Sequence, residues 1–440
     1  MSPTSPFKAF FEAHTPDYRP YEEFYKTLHA NPEVSWREVE TSEAIANRLS
    51  QISPHLQITR GIAGTGLIAV LHNGLGRTVL LRADMDALPV EELTGLEYAS
   101  KKRVEDADGS MQPVMHACGH DMHVTALLAA TETLILGRTQ WSGTLVCLFQ
   151  PAEESGNGAR RMIEDGLYDK HGCPIPDILL GQHVSPRKSG HTDTRPGPLM
   201  AGVDEMKIIV YGRGGHASMP HMSVDPIVLA SHIVVRLQTI VSREVIPGSL
   251  AVVTVASLHS GKAINVISDH ATIELSIRSV DSEARDSIIG AIKRIVVAEC
   301  HASDSPRDPV FEVVSSIPAM YNDPNTTHTI NRSFSAHFGH QNHNPSCEIV
   351  PASEDFSHLA TAVGKPYCFW FFGGHDTSDW EERAKANRLD AVPSLHSALF
   401  APAIQPTLSI GAEALVVAAM TMFSDYANGS NGQGVAVPRA

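Results

Sequence analysis

The sequence predicts an α/β chain in which a mostly parallel sheet is interrupted by an inserted α+β unit of ferredoxin-like order. Three observations lead there. TGLIAVL (65–71), TVLLRAD (78–84), GTLVCLFQ (143–150) and DILLGQH (177–183) are short, continuously apolar runs, as strands buried on both faces should be. Segments with helical spacing alternate with them, the pattern of a parallel sheet covered by helices. Between residues 203 and 314 the order becomes β-α-β-β-α-β, the split ferredoxin-like arrangement.

Residues 33–52 carry a helical stripe of Ile45, Leu49 and Ile52. A helix is expected after MHACGHD, with Val124, Leu127, Leu128 and Leu134 in phase, and another near 158–167. In the insertion, EMKIIVY reads as a strand and DPIVLASHIVVRLQTIVS as a helix with Ala230, Val234, Leu237 and Val241 on one face. LAVVTVASL and HATIELSIR are further strands, the second alternating Ile273, Leu275 and Ile277 as a sheet with one wet face does. DSEARDSIIGAIKRIVVAEC is a helix and VFEVV the last strand. The chain then returns for a strand near 367–373 and a final helix at 408–423. The domains expected are the first part of a main domain at 1–202, the insertion at 203–314, the second part of the main domain at 315–426 and a disordered tail at 427–440. GIAGTG (61–66) imitates a dinucleotide loop, but its glycines are misplaced and it runs into a strand instead of a helix.

At 440 residues the chain exceeds the usual single-core size, so two domains are expected. A net charge of −15, from 34 basic and 49 acidic residues, argues against nucleic acid or an anionic membrane surface as partner. No run approaches the ~18 apolar residues of a membrane helix, and MSPTSPFKAFFEAHTPDY lacks the apolar core of a secretory signal. Six scattered cysteines without a C-x-x-C pair suit a reducing, cytoplasmic setting with free thiols, unless a metal takes one.

The chemistry concentrates in a few stretches. MHACGHDMH (115–123) sets Cys118 and His120 two apart at a strand-to-helix turn, either as nucleophile and base or as two metal ligands. QPAEESGNGA (150–159) follows a buried strand, where open α/β sheets place their sites. Neighbours in extended chain project to opposite sides, so Glu153 and Glu154 divide the work, one as ligand and one as general base. GQH puts His183 at the close of the next strand, and SLHSALF presents His396. Taken singly, each histidine is a satisfied core or surface residue. Taken together, Cys118, His120, Glu154, His183 and His396 are N, S and O donors suited to Zn, Mn or a related divalent ion. RADMDALP (82–89) adds Asp84 and Asp86, which either orient a ligand from behind or merely pair with Arg82 and cap a turn. In the insertion, His216 of GRGGHASMPH and Arg278 of ELSIR could polarise a carbonyl and bind a carboxylate, or be a glycine hairpin and a surface arginine. The aromatics of YCFWFFGG (367–374) could line an acyl pocket or, more simply, form core strand.

In this order, LRADMDALP, MHACGHDMH, QPAEESGNGA, GQHVSP, GRGGHASMPHMSVDPI, SEDF and LHS closely resemble the aminoacylase-like metallopeptidases. The nearest branch is the amidohydrolases that include hippurate hydrolases and hydrolases of indole-acetyl amino acids. The resemblance runs from about Leu28 to His396. It implies a di-metal catalytic domain interrupted by a lid or dimerisation domain, with two divalent ions per chain (Mn or Zn; Co or Ni as alternatives). Carried over by motif, Cys118, His120, Glu154, His183 and His396 are the metal ligands. Glu153 is the general base acting on a metal-bound hydroxide, and Asp86 the aspartate supporting the centre. His216 and Arg278 are the substrate-binding pair. The substrate implied is a small N-acyl amino acid with an aromatic or aliphatic acyl group, and residues 203–314 could pair two chains into a homodimer. This sequence departs from the family in the longer KKRVEDADGSMQP (101–113), in ASEDF for GSEDF, and in LHS followed by Ala-Leu-Phe. No donor is lost, so these changes bear on substrate preference and not on the chemistry. Two other readings compete: cleavage of dipeptides or peptide C-termini, and a metal-binding protein that has lost turnover. The second leaves Glu153 without a purpose. A closed structural zinc site fits poorly, since such sites are usually local in sequence.

Overall fold

The computed structural model describes residues 5, 7–106 and 109–429. It divides into two compact units. The first comprises residues 1–197, 322–348 and 355–440, and the second residues 198–321 and 349–354.

The first unit is built on an eight-stranded sheet. Its strands are β1 (Gln57–Ile62), β2 (Gly66–Asn73), β3 (Thr78–Asp84), β4 (Gly143–Gln150), β5 (Ile178–Lys188), β6 (Thr192–Asp193), β7 (His343–Asn344) and β8 (Tyr367–His375). They lie in the order β1-β2-β4-β3-β5-β8-β6-β7. The central run β4-β3-β5-β8 is parallel, while β1 and β2 add an antiparallel edge. GIAGTG is the turn of that edge hairpin, with Ala63 and Gly64 at positive φ, and it leads into β2 and not into a helix.

The apolar runs of β2 to β5 and β8 are buried because helices cover both faces. One of those helices, His120–Leu136, is buried on almost every residue, which explains why its sequence is apolar all round. The last helix, Ile404–Gly429, packs against it. Its segment Ile404–Ser424 is long and apolar enough to cross a membrane, yet 78% of its most apolar stretch is buried inside this unit. Trp370 ties the layers together: its indole N–H donates to Gln182, whose amide donates to the Gly411 carbonyl. YCFWFFGG is core strand, with Trp370 and Phe372 fully buried.

Three local expectations are corrected. The helix expected from residue 33 begins at Val39. Before it, Val34 bridges Ala87, with the Ala87 N–H donating to the Glu33 carbonyl at 2.8 Å, and a turn follows in which Trp36 takes a φ of 68° and the Arg37 N–H donates to the Val34 carbonyl. The strand expected to close at His183 runs on to Lys188. The expected tail at 427–440 lies outside the described residues from 430 on, and the last helix continues to Gly429.

The second unit is a four-stranded antiparallel sheet in the order Ala251–Ser260, His270–Ser279, Gly202–Tyr211, Val310–Ile317, with helices Pro226–Arg243 and Ser282–Ala302 packed on it. This is the ferredoxin-like topology. Ile273, Leu275 and Ile277 face its core as the alternation requires. The first helix is turned from its expected orientation: Ala230, Ile233, Leu237 and Ile240 are buried, whereas Val241 is exposed. Leu229 and Ile233 bring more apolar surface inward than Val234 and Val241 would.

Candidate metal centre

The centre grows from the carboxyl ends of neighbouring strands. Asp84 of β3 lies level with Gln150 of β4, and Arg82 pairs with Gly181 two residues before His183 on β5. Sheet register therefore delivers Asp84, the Glu153 turn and His183 to one edge, where open α/β folds place their chemistry. Gly119 then starts the helix that carries His120 and His123. Its φ of 79° needs glycine, and an added Cβ would sit 2.5 Å from Val184 Cγ1.

Glu153 and Glu154 do not alternate across extended chain. They share a single 3₁₀ turn, Glu153–Ser155, entered through Ala152 at a left-handed φ of 53°. Both carboxylates approach the same atom, His120 Nε2, at 3.9 Å. Buried Glu38 holds the strained entry by accepting the Ala152 N–H at 2.8 Å, and Asp86 Oδ2 accepts the Glu154 N–H at 3.0 Å.

The other donors converge on this turn. Cys118 Sγ lies 3.4 Å from His183 Nε2 and 3.3 Å from His396 Nε2. His396, itself at a left-handed φ of 66°, reaches Glu154 Oε1 at 3.4 Å. Ligand atoms of Cys118, Glu154 and His396 lie within 4.8 Å of one another, and so do those of His120, Glu153 and Glu154. Asp86 sits behind His120, 3.2 Å from its Nδ1, and takes the Ser35 hydroxyl on its other oxygen. His120 Nε2 and Glu154 Oε1 are buried without a hydrogen bond.

The electrostatics describe a cluster short of positive charge. Burial pulls His120 down, but Asp84, Asp86 and Glu154 outweigh it and hold its pKa at about 10. Burial, followed by the charges of Glu154 and Glu153, pushes the Cys118 thiol well above its ordinary range. Burial also keeps His183 neutral, well below its ordinary value. A divalent cation would displace the proton from His120 and ionise Cys118, and it would meet the two orphaned atoms. The residues present therefore fit such an ion, with N, O and S donors of the kind that Zn and Mn accept.

Sequence reasoning named Asp84, Asp86 and Arg82 but passed over the rest of the network that supports the donors. Arg82, fully buried, donates to Asp84 at 2.6 Å and to Gln150 at 2.9 Å, and Gln150 donates to Asp355 at 2.7 Å. Asp84 thus pairs with Arg82 through Oδ2, and its Oδ1 meets His123 Nδ1 at 2.5 Å. His123 went unassigned although it lies three residues beyond His120, and so on the same helix face. His216 and Arg278 belong to the second unit. His216 is exposed, and its Nδ1 accepts from the Ser218 N–H; Arg278 donates to the Pro351 carbonyl at 3.0 Å.

The sequence pattern of peptidase family M20/M25/M40 matches residues 80–399. Hippurate hydrolase of Campylobacter jejuni is 36% identical over 351 residues, 79% of this chain and 87% of the relative. N-acetyl-L-cysteine deacetylase of Bacillus subtilis is 38% identical over 364 residues, 81% of each. The solved structure of the Bacillus subtilis YXEP protein, a dinuclear metal binding peptidase from the M20 family, superposes with a TM-score of 0.73. That match is at 26% identity and covers 95% of this chain and 99% of the other.

Proposed function

The chain belongs to peptidase family M20/M25/M40, and from that premise we propose that it hydrolyses N-acyl amino acids to a carboxylic acid and an α-amino acid. The observation that carries this reading is the convergence of Cys118, His120, Glu154, His183 and His396, with His120 Nε2 and Glu154 Oε1 left orphaned.

These five residues would hold two divalent ions, Mn or Zn by their donor chemistry. Such ions lower the pKa of water towards about 7 and polarise an amide carbonyl. The chain does the rest. Glu153, with its side chain 12% exposed, accepts the proton of the attacking water and returns it to the departing amine nitrogen. Asp86 keeps the His120 ring in place, so that Nε2 faces the glutamates.

The inserted unit supplies substrate contacts in this reading. The Ser218 N–H donates to His216 Nδ1, so the ring proton sits on Nε2, free to donate to a developing oxyanion. Arg278 spends one donor on Pro351 and keeps others for a substrate carboxylate. The six unpaired cysteines support a cytoplasmic setting, and the exposed Val228 and Val235 of helix Pro226–Arg243 support pairing of two chains through this unit.

The test is release of amino acid from N-benzoylglycine, indole-acetyl-alanine, N-acetyl-methionine and a dipeptide. The protein is assayed as purified, after chelation, and after Mn or Zn is returned. Chelator-sensitive release from the acylated substrates is expected. Hydrolysis of the dipeptide alone would overturn the acyl-amino-acid assignment, and turnover that survives chelation would overturn the metal chemistry.

A further inference from the structure

His123 sits inside the cluster, with its ring centroid 4.5 Å from that of His183 and 5.4 Å from that of His120. By proximity it belongs to a metal-binding group with Asp84, His120 and His183. Its hydrogen bonds say otherwise. The Val184 backbone N–H, which can only donate, lies 2.7 Å from His123 Nε2. Nε2 is therefore the acceptor, and the ring proton must sit on Nδ1, which faces Asp84 Oδ1 at 2.5 Å. Asp84 is pinned in turn by Arg82 at 2.6 Å. Both lone-pair and proton positions of His123 are used.

The same residue serves His183. The Val184 carbonyl accepts the His183 Nδ1–H at 2.6 Å, which fixes that tautomer and leaves the Nε2 lone pair facing Cys118 Sγ at 3.4 Å. One residue of β5 is thus gripped at its N–H by His123 and grips His183 with its carbonyl.

We infer that His123 ligates no metal and is a positioning residue: Arg82, Asp84 and His123 hold Val184 by its N–H, and the carbonyl of the same residue aims His183 at the metal. This inference rests on the metal-centre reading above. It also explains why two buried histidines three residues apart on one helix have different tasks. His120 keeps an orphaned Nε2, whereas His123 keeps none.

The test begins with the wild-type chain labelled with ¹⁵N-histidine. In the metal-free protein, ring-nitrogen NMR should show His123 protonated on Nδ1 with Nε2 bare. Saturation with Zn²⁺, which is diamagnetic, should move one ring nitrogen each of His120, His183 and His396 and leave His123 Nε2 where it was. In Zn²⁺ titrations, His123→Ala should still bind two ions, with affinity weakened about 10–100-fold. His123→Gln, whose amide oxygen can accept the Val184 N–H, should recover most of that loss. A proton on His123 Nε2, or a Zn²⁺-induced shift there as large as at His183, would overturn the inference. A fall to one bound ion in both variants would do so as well. Should wild type bind no Zn²⁺, the functional proposal fails by itself, while the metal-free tautomer still decides the lock. Should His123→Ala not fold, the wild-type spectra and His123→Gln decide it.

Discussion

Two sets of polar groups lie side by side in the first unit, and they are satisfied in different ways. In one, Arg82, Asp84, His123, Gln150 and Asp355 bond mainly to each other and to backbone, at 2.5–3.4 Å. In the other, Cys118, His120, Glu154, His183 and His396 gather with looser spacings of 3.3–3.9 Å, and two of their atoms have no hydrogen-bond partner. The first set is wholly buried, and so are Cys118, His120 and His183 of the second, whereas Glu154 is half-buried and the His396 side chain is 54% exposed. Satisfaction of their hydrogen bonds separates the two sets. A buried polar group without a hydrogen-bond partner costs about 1–3 kcal/mol, a cost that a cation at this cluster would relieve.

The largest expected effect tests the open set. Glu153→Gln should lower kcat by about 10²–10⁴, the range for a general base, while metal content measured on the same sample stays at wild-type level. Loss of the metal together with activity would move Glu153 from base to ligand. The closed set should fail in stability. Asp84→Asn leaves Arg82 short of a charged partner, and breaking such a buried pair costs about 3–5 kcal/mol, readable by urea unfolding. An unchanged midpoint would show that the network is not scaffold.

A third measurement extends the comparison to a satisfied histidine in the same unit. His343 is buried between Thr192 and Asn331, and burial holds its pKa at about 4 against 6.5. Between those values the unfolded chain binds the extra proton, so stability present above pH 6.5 falls as pH drops towards 4, by up to about 3 kcal/mol. His343→Gln should flatten that slope in denaturation series from pH 7 to pH 4.5; an unaltered slope would exclude His343 as its source. The smallest effect concerns the inserted unit. Arg278→Ala should raise KM about 10–100-fold for an N-acyl amino acid, the worth of one charged hydrogen bond. It should leave the corresponding methyl ester unaffected, and equal losses on both would remove Arg278 from carboxylate binding.

The sequence made the strands and the donor types legible because both depend on local residue kinds. TVLLRAD and GTLVCLFQ are buried on both faces and read so directly. The division of labour was harder to read. Glu153 and Glu154 looked like alternating strand neighbours, yet Ala152 at positive φ bends them onto one turn, a long-range consequence of Glu38 114 residues away. His123 stands in the same short motif as His120, and only the Val184 N–H from a distant strand shows that its lone pair is taken. Helix Pro226–Arg243 was placed correctly and rotated wrongly, because its sequence offers two adjacent apolar stripes and the sheet beneath chose the bulkier one.

The most direct test is anomalous X-ray scattering from crystals equilibrated with Zn²⁺ or Mn²⁺. Two peaks are expected among Cys118, His120, Glu154, His183 and His396, with His123 still bonded to Asp84 and Val184. A peak seated between Asp84 and His123, or no peak among the five donors, would contradict the account.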